Sequence, residues 1–265
     1  MKTTVLANQK GGVGKSAIAV QFADYLALLR NKRVLVIDFD HQRNTSKAIR
    51  TGGLATVSAV TSSMILKNKI TSIEHADFVL IAGDADLIKM EKQAAEHNAF
   101  ATNLYTFLAS VSDQFDFCII DTNPNPDIRQ LASLVVSDFV LSPLQLNQEA
   151  IDGIGDLLNH ENIGIRKIQA TLNKKLQLIG ILPNMVEPTP FQRDNFRDLS
   201  KAFAKLLIPL DNGFAAIKKT TAIPEAQAQG LPVWKVGKTS AREAWTQMRP
   251  IFDKIAQTMG VEQDA

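Results

Sequence analysis

The segment Thr4-Val5-Leu6-Ala7-Asn8-Gln9-Lys10-Gly11-Gly12-Val13-Gly14-Lys15-Ser16 runs from a short apolar stretch through a glycine-rich turn into a helical pattern. The glycines permit backbone angles and a close ligand approach that a Cβ would prevent. Successive N–H groups of such a turn can point at phosphate oxygens, and the helix N-terminus adds a favourable dipole. We therefore predict a phosphate-binding loop made of Gly11, Gly12, Val13, Gly14, Lys15, Ser16 and Ala17. Within it, Lys15 can reach the β- and γ-phosphates and Ser16 can place its hydroxyl on Mg²⁺.

Apolar runs alternate with helical patterns along the rest of the chain. Buried strands are predicted at residues 3–7, 33–38, 78–82, 115–121, 139–142 and 177–183, and helices at 15–30, 104–112, 127–136, 148–159 and 191–207. This alternation predicts a doubly wound α/β fold of the P-loop NTPase class, with a mostly parallel sheet and helices on both faces. Because no Pro/Gly/Ser-rich linker divides the pattern, we expect a single domain over residues 1–265.

Composition narrows the class of protein. Apolar residues make up 45% and charged residues 21% of the 265 positions, which is ordinary globular usage. The single cysteine, Cys118, allows neither an intramolecular disulfide nor a cluster held by several cysteines, so a reducing compartment fits best. No stretch approaches the roughly 18 apolar residues of a membrane helix. The net charge is only +2, yet residues 166–254 hold 15 Lys/Arg against 7 Asp/Glu, which suggests a polyanionic partner.

Carboxylates stand at the ends of two predicted strands. Asp38 and Asp40 lie at the end of the second strand, and Asp121 ends the strand 115–121. Because the carboxyl ends of parallel strands line the ligand crevice, we expect all three to face the phosphates. Asp38 and Asp40 would lie on one side of the chain if it stays extended. Carboxylates placed there suit metal-bound water and an attacking water.

Residues 9–16 resemble the deviant Walker A motif of the ParA/MinD superfamily, with Gln9 in place of the usual first glycine and an additional lysine, Lys10. The resemblance implies that Lys10 crosses a dimer interface to the partner's phosphates, in an ATP-sandwich homodimer. Residues 34–44 resemble the family's switch I motif, in which His41 and Arg43 replace the usual Pro and Gly. It implies that Asp40 positions the nucleophilic water and Asp38 lies in the outer shell of the metal.

The resemblance extends from Thr3 to about Ile255. Residues 115–122 look like a Walker B strand, which implies that Asp121 holds Mg²⁺ through Ser16 or a water. Asn184 stands where the family places an adenine-contacting asparagine. The C-terminal pattern implies that residues 217–220, and Lys218 among them, form the other wall of the adenine pocket, with Pro209 as a competing choice.

Features that are missing from the sequence help to choose between the branches of the superfamily. One cysteine excludes the iron–sulfur relatives, and the polar, acidic end of the sequence does not resemble a MinD membrane anchor. Because the first predicted strand begins at Thr3, we expect no N-terminal helix-turn-helix extension. We expect a ParA/Soj-type DNA-partitioning ATPase that uses ATP/ADP and Mg²⁺, binds non-specific DNA as a dimer and responds to a ParB-like partner. A cytoplasmic, nucleoid-associated location follows. The alternatives are a MinD-like membrane-associated positioning ATPase and a metabolic P-loop ligase or kinase.

A basic stripe is the candidate DNA contact. Within the helix predicted at 191–207, basic residues recur every four positions, at Arg193, Arg197, Lys201 and Lys205. Phe196, Leu199, Phe203 and Leu206 recur at three- and four-residue steps and should form the buried face. Asp194 and Asp198 interrupt the stripe, so a solvated, salt-bridged face is the competing interpretation.

Overall fold

Seven parallel strands form the central sheet of the computed structural model, which describes residues 1–90 and 92–261. The order across the sheet is β3-β4-β2-β5-β1-β6-β7. The strands are β1 (Lys2–Leu6), β2 (Val34–Asp38), β3 (Thr56–Thr61), β4 (Phe78–Ala82), β5 (Phe117–Asp121), β6 (Phe139–Leu144) and β7 (Gln177–Pro183). Every pairing between these strands is parallel, which confirms the predicted doubly wound α/β class.

Helices cover both faces of the sheet. They are α1 (Lys15–Leu28), α2 (Asn44–Gly52), α3 (Ser62–Lys67), α4 (Leu87–Met90), α5 (His97–Ser110), α6 (Ile128–Val136), α7 (Gln148–Asp152), α8 (Ile154–Asn159), α9 (Ile165–Thr171), α10 (Pro190–Phe203), α11 (Ala222–Gln229) and α12 (Thr239–Thr258). Short 3₁₀ turns occur at Ala94–Glu96, Ala204–Leu206 and Val233–Lys235, and a small antiparallel pair joins β8 (Pro209–Leu210) to β9 (Gly213–Phe214).

Two apolar clusters fill the space between the sheet and its helices. One contains Phe107 of α5 and Ile168 of α9. The other contains Phe22 of α1, Ile49 of α2 and Phe252 of α12. The strands between them are buried on both faces, which explains why they appear in the sequence as continuous apolar runs.

Several predicted elements differ from the observed ones. The helix predicted at 148–159 is divided at Gly153 into α7 and α8, and the one predicted at 191–207 ends as α10 at Phe203, before a 3₁₀ turn. Strand β3 was not predicted, because its sequence Thr-Val-Ser-Ala-Val-Thr has no apolar run and it is partly exposed at the sheet edge. Helix α12 was also not predicted, and Pro250 inside it interrupts its pattern. The last residues of the acidic C-terminal end, 262–265, lie outside the described residues.

Candidate functional site

A cavity of about 690 Å³ opens at the carboxyl edge of the sheet. The loop after β1 and the start of α1 line one side of it, and α2, α11 and the segments after β7 line the others. The predicted nucleotide ligands Gly11, Gly12, Val13, Gly14, Lys15, Ser16, Ala17, Asn184 and Lys218 all line this one cavity. The structure therefore brings together residues that are up to two hundred positions apart in sequence.

The loop has the left-handed geometry that its glycines allow. Gly12 and Gly14 have φ values of 75° and 88°, and Gly14 is the residue before α1. Asn184 covers the loop from the far side, since its Nδ2 donates to the carbonyl of Val13 at 2.8 Å. A Cβ on Gly14 would lie 2.2 Å from that nitrogen, so the contact requires glycine. Asn184 thus fixes the distance between the loop and the wall after β7.

Lys15 is buried in the centre of the loop. Its Nζ donates to the carbonyl oxygens of Asn8 at 3.1 Å and of Lys10 at 3.2 Å. Burial lowers the pKa of this ammonium, while the charges of Asp121 and Asp40 act in the opposite direction. Two neutral carbonyls compensate a buried cation poorly, so the site favours an anionic ligand.

Lys10 points away from the cavity, toward its own α7. Its Nζ lies 2.6 Å from the carboxylate of Glu149 and 3.4 Å from Oδ1 of Asn147. The side chain of Glu149 is 84% exposed, so this ion pair is at the surface. Lys10 does not line the cavity of its own chain.

The strand continues past Asp38 to Phe39, whose N–H donates to the carbonyl of Asp121 at 2.9 Å, and the chain turns only after Asp40. The N–H of Arg43 donates to the carbonyl of Asp40 at 2.9 Å and closes the turn. Asp40 lines the cavity, whereas Asp38 is fully buried beneath it and does not. Asp38 accepts hydrogen bonds from the N–H and the hydroxyl of Ser46 at 2.8 and 2.6 Å.

Asp121 lies beside Asp38, because the two residues are register partners in the β2–β5 pairing. Burial raises the pKa of both carboxyls; the neighbouring charge of Asp121 raises the pKa of Asp38 further, while the hydroxyls of Ser16 and Thr45 act to lower the pKa of Asp121. Oδ2 of Asp121 accepts from the Thr45 hydroxyl at 2.7 Å. Its Oδ1 is buried and has no hydrogen-bond partner among the described residues. A carboxylate oxygen left in this state, near Ser16, fits a Mg²⁺ site, since Mg²⁺ prefers oxygen ligands.

Arg193, Arg197 and Lys201 are exposed on α10, as predicted, whereas Lys205 is exposed but lies in the 3₁₀ turn that follows the helix. The buried face of α10 contains Leu199 and also Asn195, with Phe196 and Phe203 half-buried, and Leu206 is half-buried in the 3₁₀ turn. Arg197 pairs with Asp194 at 2.9 Å and with Asp198 at 3.3 Å, so the competing salt-bridged interpretation holds for this one residue. Within the described part of the chain, Arg193, Lys201 and Lys205 form no ion pair with an acidic side chain.

Several cavity-lining residues were not predicted from the sequence. They come from α2 and α11 and include Lys47, Thr51, Ile223, Pro224 and Gln227. Their helices meet where Gly52 and Gly230 touch; a Cβ on Gly52 would lie 2.0 Å from the carbonyl oxygen of Gly230. No local pattern reveals this contact, although glycine at the end of each helix is compatible with it.

The chain is similar to proteins of a known family. A family model described as an AAA domain matches residues 1–178. Protein IncC of Escherichia coli is 31% identical over 99% of this chain and 71% of its own length. The chromosome-partitioning ATPase Soj of Treponema pallidum is 30% identical over 88% of each chain. The chain belongs to the ParA/Soj family of partition ATPases.

This membership confirms the resemblance carried by residues 9–16. The fold agrees as well: the ATP complex of Cyanothece McdA matches with a TM-score of 0.78 over 100% of this chain and 98% of that one, at 21% identity. The two candidate segments for the second wall of the predicted adenine pocket differ in their position relative to the cavity. Residues 218–220 line the cavity, whereas Pro209 lies in β8 and does not. No helix in residues 1–90 and 92–261 has both the length and the hydropathy needed to cross a membrane.

Proposed function

We propose that this ParA/Soj-type chain is an ATP-driven switch for DNA segregation. ATP closes a sandwich homodimer, the dimer binds DNA without sequence preference, and hydrolysis stimulated by a ParB-like partner releases it. The observation that carries the proposal is the single cavity of about 690 Å³ that all the predicted nucleotide ligands line. A cytoplasmic, nucleoid-associated location follows from this function.

The residues around the cavity divide the work of ATP hydrolysis. The N–H groups of the loop and the ammonium of Lys15 hold the phosphates. Ser16 would hold Mg²⁺ with Asp121 and Asp38 around it, and the bound ion would neutralise charge on the phosphate oxygens. Asp40, which lines the cavity, orients the attacking water.

Lys10 supplies the contact between two chains. Because it does not line its own cavity, its ammonium is available to a second copy once it leaves Glu149. A lysine supplied by the partner would offset the charge that develops during phosphoryl transfer, as an arginine finger does. ATP, with one more phosphate than ADP, would therefore favour the dimer.

The exposed cations of α10 are the proposed DNA contact. A dimer presents the stripe twice, so DNA affinity should appear with ATP and disappear with ADP. Contacts to DNA phosphates release counterions, and affinity should fall steeply with salt. Arg193 and Lys201 are the best positions to test, because neither forms an ion pair within the described residues, unlike Arg197.

The experiment compares the double variant Arg193→Ala/Lys201→Ala with Lys174→Ala/Lys175→Ala, which removes the same charge from exposed positions outside the stripe. Binding to unrelated duplexes is measured with ATP over a salt series. The stripe variant should bind more weakly and lose about one unit of salt slope for each lost contact in each chain. The control variant should change little. Equal effects of the two variants would exclude the stripe, and a wild type that shows no ATP-dependent DNA binding at low salt would refute the proposed function.

A further inference from the structure

His41 lies against the carboxylate that the proposed function assigns to the attacking water. Its Nδ1 is 3.6 Å from Oδ1 of Asp40. This nitrogen is buried and has no hydrogen-bond partner among the described residues, although part of the ring is exposed. The family motif resembled by this segment has proline at the same place, so the contact belongs to this chain and not to the general motif.

The neighbouring residue determines which ring nitrogen carries the proton. Nε2 of His41 lies 3.0 Å from the amide nitrogen Nε2 of Gln42. An amide NH₂ group can only donate, so the ring nitrogen facing it accepts, and the proton of the neutral ring is then on Nδ1. Nδ1–H therefore faces the Asp40 carboxylate. The opposite orientation of the Gln42 amide would turn a ring lone pair toward that carboxylate, which is unfavourable.

Two donors thus approach the same oxygen of Asp40. The backbone N–H of Gln42 donates to Oδ1 at 2.9 Å, and Nδ1–H of His41 stands on the same side. A movement of less than about 1 Å would bring His41 to hydrogen-bond distance. With Oδ1 held in this way, the carboxylate cannot rotate freely, and Oδ2 is the oxygen left for water.

We propose that His41 is a positioning residue for ATP hydrolysis, acting by holding Oδ1 of Asp40 so that Oδ2 accepts the attacking water. The inference rests on the proposed ATPase function and adds a residue to it. His41 does not line the cavity and acts through Asp40 alone, so its loss should lower the hydrolysis rate and leave ATP affinity unchanged.

The test uses three variants of the full chain. His41→Asn keeps an N–H donor near the place of Nδ1, His41→Gln moves the donor toward the place of Nε2, and His41→Ala removes it. Single-turnover hydrolysis of Mg-ATP and the affinity for a non-hydrolysable ATP analogue are measured for each, with a thermal melt to show that it is folded. We expect His41→Ala and His41→Gln to slow hydrolysis about tenfold, as for the loss of a hydrogen bond to a charged group, and His41→Asn to stay within about threefold of wild type. Analogue affinity should stay within about twofold in all three.

Three outcomes overturn the inference. Hydrolysis at the wild-type rate in all variants would show that His41 does not position Asp40. Equal losses of hydrolysis rate in His41→Asn and His41→Ala would show that His41 acts by packing and not by donating a hydrogen bond. A fall in analogue affinity that accounts for the lost rate would place His41 in nucleotide binding. Asp40→Ala serves as the reference: if the wild type hydrolyses ATP and Asp40→Ala does not, the proposed role of Asp40 in hydrolysis stands whatever the His41 variants show. A wild type without hydrolysis would remove both.

Discussion

Replacing Gly14 with alanine tests whether Asn184 holds the phosphate loop. Gly14 has φ 88°, and a Cβ there would lie 2.2 Å from Nδ2 of Asn184 and 3.2 Å from Cε of Met185. A non-glycine residue in the left-handed region costs about 1–2 kcal/mol. Displacing Asn184 from the Val13 carbonyl leaves a buried amide without its partner, which costs about 1–3 kcal/mol more. We therefore expect Gly14→Ala to lower the free energy of unfolding by about 2–5 kcal/mol.

Gly12→Ala is the matched control. Gly12 also has a positive φ, 75°, but nothing lies within 4 Å of the Cβ position, so this variant pays only the backbone cost of about 1–2 kcal/mol. Both are measured by urea unfolding of the nucleotide-free protein, because the loop's ligand would otherwise contribute. A double-mutant cycle with Asn184→Ala isolates the contact with Asn184: once that side chain is shortened, only the flexible end of Met185, at 3.2 Å, still lies close to the alanine at position 14. The cycle should show a coupling of about 1 kcal/mol or more.

Equal losses of stability in Gly12→Ala and Gly14→Ala would refute this reasoning, as would strict additivity in the cycle. Either result would mean that Asn184 does not press on the loop in solution. If the reasoning holds, Gly14→Ala should also bind ATP poorly, because the displaced amide enters the cavity that both residues line.

Three further predictions concern charge, strain and assembly. Burial raises the pKa of Asp24 to about 7, above its unfolded value near 3.9. Between about pH 4 and pH 7 the folded state therefore binds more protons than the unfolded state, and the free energy of unfolding should fall as the pH rises through this range. Asp24→Asn should remove this part of the decline. The difference in free energy of unfolding between the variant and the wild type, measured by urea unfolding, should therefore shift in favour of the variant as the pH rises. A difference that does not change with pH would contradict the prediction. Arg43 has φ 59°, a left-handed conformation that glycine adopts without strain. Arg43→Gly should raise the free energy of unfolding by about 0.5–1 kcal/mol, because the relief of strain exceeds the entropy that glycine adds to the unfolded chain. Arg43→Ala keeps the strain and should not be stabilised. Lys10→Ala should bind ADP normally yet remain monomeric with ATP in size-exclusion chromatography; normal ATP-dependent dimerisation would exclude the role of Lys10 in the partner's site.

The parts of the site that could be predicted from sequence are those made by consecutive residues. The loop from Gly11 to Ser16 forms its own geometry, because strand, glycines and helix follow one another directly. Asp121 was predictable for the same reason, since it ends an apolar strand whose carboxyl end must face the crevice. Parallel pairing then places it beside Asp38 without further information.

The parts that could not be predicted depend on contacts between distant segments. The buried carboxylate of Asp38 accepts from the N–H and the hydroxyl of Ser46 in α2, and periodicity carries no sign of this contact. The wall formed by α11 depends on the approach of Gly230 to Gly52, across more than 170 residues of chain. An edge strand such as β3, half-exposed and rich in Ser and Thr, lacks the apolar run by which the other strands were recognised.

The two lysines of the loop share a property that suits a reversible switch: each is held by groups that a phosphate can replace. Lys15 rests on two backbone carbonyls in a buried position, where an anion is a much stronger partner than a neutral oxygen. Lys10 is paired with Glu149, whose pKa is lowered by this contact, but the pair is exposed, and exposed ion pairs contribute little to stability. Little free energy therefore opposes the transfer of Lys10 from Glu149 to a triphosphate in a second copy of the chain. The same weakness lets Lys10 return after hydrolysis, so the dimer would last only as long as the terminal phosphate does.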